Sequence, residues 1–484
     1  MAPYFAAYCA AAAAAASALL AGCMVGPNFS RPPPPKVEQF EHGEPTRGPL
    51  VAEGVAQTFS AQAGVPTDWW TLFGSHAIDS AVDEALTASP TLEGAQAALR
   101  QSEDEMRAGA GVFFPQVDAG FGASRQKYSP LRVGSETPPT LFNLFTLSAS
   151  ISYALDIWGG ERRLVEGLNA QTDSQRYALL ATYLTLTSNV VNTMIARAAY
   201  SDEIAATREM TGLLREQITL TDAQVQAGTA AYSAVLTLEN ELATLEASLP
   251  VLEQKRAQAE DLLASLSGAF PAQWQAPDLS LRDIALPATL PDTVPSELVG
   301  RRPDILQAEA ALHVASANIG VATANLLPGI TLSASGGYNN TSMGALLQRS
   351  GQVWAVAANV SAPVFHGGTL WFQRKAALDA YAQSEAAYRQ VVLNAFAQVA
   401  DALRALENDA HALDAQTRAL QAAGEALRLI KADYAAGTVG YVQILIADSQ
   451  YHQAQIARLQ GVAQRLQDTV ALYVALGGGW NSAP

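Results

Sequence analysis

Apolar and polar side chains alternate with period two in two stretches of this chain, and most of what lies between follows the period of a helix. From Pro328 to Gly368, Ile330, Leu332, Ala334, Gly336 and Tyr338 take one parity, and Thr331, Ser333, Ser335, Gly337 and Asn339 the other. After a turn rich in Gly, Ser and Asn, the even positions Trp354, Val356, Ala358, Val360, Ala362 and Val364 alternate with Ala355, Ala357, Asn359 and Ser361. Such a pattern predicts a hairpin whose two faces meet different solvents.

The same hairpin occurs earlier. Val117, Ala119, Phe121 and Ala123 alternate with Asp118, Gly120, Gly122 and Ser124; beyond a Pro-rich loop, Leu147, Ala149, Ile151 and Tyr153 alternate with Ser148, Ser150 and Ser152. Pro115 matches Pro328, Gly160 matches Gly368, and Gly228-Thr229 matches Gly437-Thr438, at offsets of about 213, 208 and 209 residues. A near-constant offset marks an internal duplication.

Helical segments fill the remainder. Residues 161–226 contain no Pro and would span about 100 Å as one helix. Gly228 breaks that run, and a returning helix reaches Ser267; Thr369 to Ala436, a break at Gly437, and Tyr441 to Leu476 repeat it. Asp68-Trp69-Trp70 precedes a short helix, followed by a helical pattern from Ile78 to about Val112 that is interrupted at Ser89-Pro90. The predicted division is a signal peptide at 1–22, an extended N-terminal segment at 23–67, and a first repeat at 68–270, with its hairpin at about 116–156 and its tip near 228. A Pro-rich crossing at 271–303 leads to a second repeat at 304–476, with its hairpin at about 330–365 and its tip near 437, and to a tail at 477–484. Four strands cannot close a barrel, so copies must share one, with eight strands from a dimer or twelve from a trimer.

The N-terminus changes the picture of location. Leu20-Ala21-Gly22-Cys23 closes an Ala-rich, uncharged stretch in the manner of a lipoprotein signal, with Cys23 taking the lipid, although no Lys or Arg precedes it. With Cys9 lost and Cys23 acylated, no thiol remains for redox chemistry. Beyond the signal no run of eighteen apolar residues occurs, so any membrane crossing is expected to be by strands. A net charge of −16 leaves no basic face for phosphate neutralisation and excludes a nucleic-acid partner.

Catalytic signatures are missing: there is no Gly-x-Ser-x-Gly, phosphate loop or dinucleotide fingerprint. His42, His76, His313, His366, His411 and His452 lack ligand spacing, so no metal or cofactor is expected. Arg301-Arg302-Pro303-Asp304 is a helix start, with Pro303 in the first turn and Asp304 at the positive end of the dipole.

Several segments resemble the outer membrane factor family, the TolC-like channels, and most closely the lipoprotein branch that serves resistance-nodulation-division tripartite efflux systems. They are Cys23 to Phe29, Asp68 to Gly74, Tyr153 to Gly159, Arg301 to Ile305, Ala324 to Pro328, Pro363 to Gly368, and Ala471 to Trp480. The resemblance implies a mainly α homotrimer. A long α-helical barrel would stand below a shared 12-stranded membrane β-barrel, with Ser148, Ser150, Ser152, Thr331, Ser333 and Ser335 towards its lumen and Phe121, Leu147, Ile151, Leu332 and Val356 towards lipid. Its implied role is that of a passive outer membrane conduit, opened at the tip turns Gly228, Thr229, Gly437 and Thr438 by a periplasmic adaptor and an inner-membrane pump. At the implied gate, Ile446 replaces an acidic residue common in relatives, so Val442 helped by Tyr441 is expected to form the narrowest ring. Asp448 lies two residues on, on another face, and Asp433 and Asp222 give a diffuse negative rim. A type I protein-secretion conduit is the alternative within this class, and a lipid-anchored periplasmic coiled-coil adaptor the alternative outside it.

Overall fold

The computed structural model describes residues 24–37, 39–41, 48–52, 54–60, 63–129, 138–292 and 295–479. The elements are β1 (Leu50–Ala52), β2 (Val55–Ser60), α1 (His76–Ala88), α2 (Pro90–Gly109), β3 (Gln116–Tyr128), β4 (Thr140–Leu155), α3 (Gly160–Gln226), α4 (Tyr232–Leu266), β5 (Thr289–Pro291), α5 (Pro303–Ala324), β6 (Gly329–Asn340), β7 (Gln352–Ser361), α6 (Thr369–Ala435) and α7 (Tyr441–Ala475). The duplication is visible in the lengths: α3 and α6 have 67 residues each, and α4 and α7 have 35 each.

Two compact units are present. One comprises residues up to 32, with 99–174 and 308–388; the other comprises 33–98, 175–307 and 389–484. The first holds a four-stranded antiparallel sheet in the order β3-β4-β6-β7, so that the two hairpins join through β4 and β6. The alternation that the sequence carries on to Val364 stops at Ser361, because Pro363 has no N–H to offer a ladder. Val364 and Phe365 follow the strand and are exposed.

The second unit has its core where α1 meets the long helices. Ile78, Ala81, Val82 and Ala85 form the buried stripe of α1, spaced as one helical face. They pack with Trp69, Trp70, Phe73, Val190, Met194, Leu263, Leu466 and Tyr473. Trp69 meets Trp70 and Phe73 edge-on, at centroid distances of 6.0 and 6.3 Å, within the range of favourable T-shaped aromatic pairs. One stretch of α3 is apolar enough to cross a membrane by length and composition, contrary to the expectation from run length. The apolar side chains Val190, Val191, Met194 and Ile195 of this helix are fully buried in the core.

A small sheet, β1-β2-β5, was not foreseen. β1 and β2 form an antiparallel pair, and β5 from the Pro-rich crossing adds in parallel. Gln57 on β2 is fully buried; its amide donates to the Pro287 carbonyl at 3.0 Å and accepts from Arg465 Nε at 3.1 Å. Arg465 on α7 also donates to the Leu50 carbonyl at 2.7 Å. The N-terminal segment expected to be extended is thereby tied to α7 by buried hydrogen bonds. Arg302 immediately precedes the helix start expected from the sequence, where Pro303 and Asp304 stand in the first turn. It is buried, donating to the Ala475 carbonyl at 2.7 Å, to Gln398 at 2.7 Å and to both oxygens of Asp304.

Candidate functional site

Register decides which strand residues share a face, since residues paired directly across an antiparallel ladder point the same way. Val117 pairs with Ile151, Ile151 with Ala334, and Ala334 with Val356; Phe121 pairs with Leu147, and Tyr153 with Leu332. One row shifted, Asp118 pairs with Ser150, Ser150 with Ser335, and Ser152 with Ser333; Ser148 pairs with Gly337, and Thr331 with Ala154. The six hydroxyl residues named from the sequence therefore lie on one face of the sheet, and Phe121, Leu147, Ile151, Leu332 and Val356 lie on the other. Both outer strands, β3 and β7, have an unpaired edge.

The two helical tips are built alike. Gly228 and Gly437 both have φ of 74°, the left-handed conformation that ends a helix with least strain in glycine. After each, a Thr folds back: Thr229 N–H donates to the Gln224 carbonyl at 2.8 Å, and Thr438 N–H donates to that of Asp433 at 3.0 Å. Their hydroxyls donate to the same two carbonyls, at 3.0 and 2.9 Å.

At the second tip the predicted gate residues separate into two groups. Tyr441 and Leu445 pack inward on Met210, Leu214 and Leu238, with Tyr441 edge-on to Tyr434 at 5.9 Å. Burial, and then the charge of Asp448, pushes the Tyr441 hydroxyl up, so it stays protonated. Val442 and Ile446, one helical turn apart, are each about half exposed, at 53% and 52%. Asp448 is paired with Lys431 of α6 at 3.2 Å, its side chain only 13% exposed. Asp433 is exposed, and Asp222 accepts from Gln226 at 2.8 Å. Sequence reasoning missed Lys431; its place two residues before Asp433 on a polar helix face gave no signal of a partner on another helix.

The family model for outer membrane efflux proteins matches the chain twice, over residues 81–269 and 294–478. The chain belongs to this family. Members are outer membrane efflux channels, transporters rather than enzymes, and this chain is such an efflux channel. It is 31% identical over 418 residues to the pyoverdine export outer membrane protein OpmQ of Pseudomonas aeruginosa, covering 86% of this chain and 88% of that one. To nodulation protein T of Rhizobium leguminosarum bv. viciae it is 30% identical over 471 residues, 96% of this chain and 92% of that protein. The outer-membrane channel OprN superposes with a TM-score of 0.85 at 25% identity, over 95% of this chain and all of that one. The open-state MtrE channel of Neisseria gonorrhoeae does so with a TM-score of 0.81 at 25% identity, over 94% and 98%.

In this efflux channel the residues after Cys23 are fastened where the strands meet the helices. Val25 N–H donates to the Trp158 carbonyl at 2.9 Å, and Met24 lies against Gly159 so closely that a Cβ there would meet its Cγ at 2.7 Å. Arg163, almost fully buried, donates to the Val25 carbonyl at 3.2 Å, to Asn28 at 2.7 Å and to Glu166 at 2.7 Å. Glu166 also bonds His313 at 2.9 Å, and the His313 ring stacks on Phe29 at 4.3 Å. His313 and Arg163 give the Glu166 carboxyl hydrogen bonds and positive charge that outweigh its burial, and its pKa falls. Cys23 and the signal at 1–22 lie outside the described residues.

Proposed function

We propose that three copies of this chain close one barrel of twelve strands above a helical tunnel, a passive conduit for tripartite efflux. The observation that carries this reading is the sheet itself: four strands with one hydroxylated face, one apolar face and two unpaired edges. An open edge in a bilayer costs several kcal/mol per unsatisfied group, so β3 of one copy pairs with β7 of the next. The hydroxyl face then lines the lumen and the apolar face meets lipid. Cys23, released from its signal, carries the lipid at the membrane surface, a reading supported by the fastening of Met24 and Val25 at the base of the strands.

The tips form the periplasmic entrance and open when an adaptor and an inner-membrane pump dock, so the driving energy comes from the pump. Val442 and Ile446 form the apolar stripe available for closure, whereas Asp448 is held by Lys431 and contributes little free charge. Relatives named for the export of pyoverdine, toluene, antibiotics and cations favour small solutes over secreted proteins as cargo. Single-channel conductance in planar bilayers tests the gate. Val442→Ser should raise basal conductance well above Ile446→Asp or Asp448→Asn, and an unchanged conductance on Val442→Ser eliminates the apolar ring.

A further inference from the structure

The hairpin of β3 and β4 extends beyond the rest of its sheet. Pairing of β4 with β6 ends at Phe145 and Asn340, whereas β3 and β4 remain paired for five more rows, from Ser124 with Leu144 to Tyr128 with Thr140. On this extension the apolar face changes character. Its outward row runs Phe121, Ala123, Arg125 and Lys127 on β3, with Leu147, Phe145, Asn143 and Leu141 opposite. The two cations begin directly where the apolar band ends, on the end of the sheet away from the helices.

Arg349 is exposed in the turn before β7, at the same end of the second hairpin. Among the described residues none of the three has an ion-pair partner. Beyond Ala119 on β3, before Ser148 on β4, and between Gly336 and Gln352, the described residues include no Asp or Glu. The intervening loop adds Arg132 and Glu136, whose charges cancel. A chain with 45 acidic and 29 basic residues thus carries, among the described residues, only cationic side chains at one end of its barrel strands. Solubility or a generic polar rim would not select one sign against that composition.

We propose that Arg125 and Lys127, supported by Arg349, bind phosphate groups of anionic lipids in the outer leaflet. Arg125 and Lys127 are two positions apart on one strand face, about 7 Å, close enough to hold one phosphorylated headgroup between them. Guanidinium supplies a planar fork for phosphate oxygens, and the ammonium a flexible point charge. Assembled as a trimer the rim would repeat three times around the barrel, directly above the apolar band. The proposal rests on the barrel assembly described above.

Purified full-length trimer can be titrated with bisphosphorylated lipid A and with its dephosphorylated form, with bound lipid counted by native mass spectrometry. Two surface cations at about 1 kcal/mol each predict a preference of about 30-fold for the phosphorylated lipid. Arg125→Gln with Lys127→Gln should bring that preference close to unity, and Arg125→Lys should keep most of it. On the wild-type protein alone the preference should collapse in high salt. A double variant that still prefers the phosphorylated lipid, a wild type that does not discriminate, or a preference indifferent to salt would each overturn the proposal. Displacement of the lipid by an equal concentration of inorganic phosphate would overturn a lipid as the occupant. Unheated denaturing gels on the same preparations separate the two levels: intact trimers without lipid preference refute only the rim, while a wild type that forms no trimer refutes the barrel beneath it.

Discussion

Ile151 offers the sharpest test of the membrane-spanning sheet. On β4 the apolar row is Leu155, Tyr153, Ile151, Ala149, Leu147 and Phe145. Ten steps of about 3.3 Å, tilted by about 40°, give a height of about 25 Å, the thickness of the apolar band in such barrels. Ile151 is four steps from the helical end, about 10 Å into the band, in a row with Val117, Ala334 and Val356. An Arg there puts a guanidinium near mid-bilayer, at about 2 to 4 kcal/mol per copy. At 1.4 kcal/mol per decade this is a loss of about 30-fold to 1,000-fold in the assembly constant for each copy. Ser150 provides the matched control, since its row contains Asp118 and Ser335 and opens on the other face. Outer membranes from cells expressing Ile151→Arg and Ser150→Arg, run unheated on denaturing gels, report trimer directly. Trimer should nearly vanish for Ile151→Arg and stay within about twofold of wild type for Ser150→Arg. Equal yields would refute the face assignment and the lumen with it.

Mass spectrometry of the mature N-terminus should find Cys23 carrying a lipid; an unmodified start at any other residue contradicts the anchor. The Asp468 carboxyl is pushed up to about 7 by burial, and further by the hydrogen bond and charge of Asp409. Its folded value lies above the unfolded one of about 3.9, so its stabilising contribution is complete below that value and is lost as pH rises through 7. Asp468→Asn should therefore raise the melting temperature near pH 8 more than near pH 5, and an unchanged pH slope would count against a raised Asp468 carboxyl. Gly437→Ala forces a Cβ into the left-handed region at about 1 to 2 kcal/mol, and should speed amide exchange in the tip while leaving the small sheet unaffected.

Much of this molecule was legible because its sequence repeats itself. The alternation around Ile151 and Ile330 has one solution once two faces meet unlike solvents, and Gly-Thr at both tips marks the same helix ending twice. Other features were not legible for physical reasons. β1 and β5 have three residues each, too short for any period to appear. Nothing local in the sequence marks Arg163, Arg302 and Arg465 for burial, because the carbonyls they donate to come from distant chain: Val25, Ala475 and Leu50. Likewise Asp448 gave no hint that it would be neutralised by Lys431, since only the packing of α6 against α7 brings them together. Where function depends on which residue is left without a partner, periodicity alone is insufficient.

The pairing of β4 with β6 also sets a timetable. Leu155 and Ile330, or Phe145 and Asn340, are separated by roughly 180 residues, among the most non-local contacts a sheet can have. Before they can meet, α3, α4, the Pro-rich crossing and α5 must all be synthesised and brought into place. Each hairpin can zip locally within microseconds, but the pairing that joins the two hairpins into one surface waits for the chain between them. Until that pairing forms, a newly made copy holds two separate, unjoined hairpins. That stage exposes four strand edges instead of two, and its lifetime governs how much of the protein is lost to aggregation before it reaches its membrane.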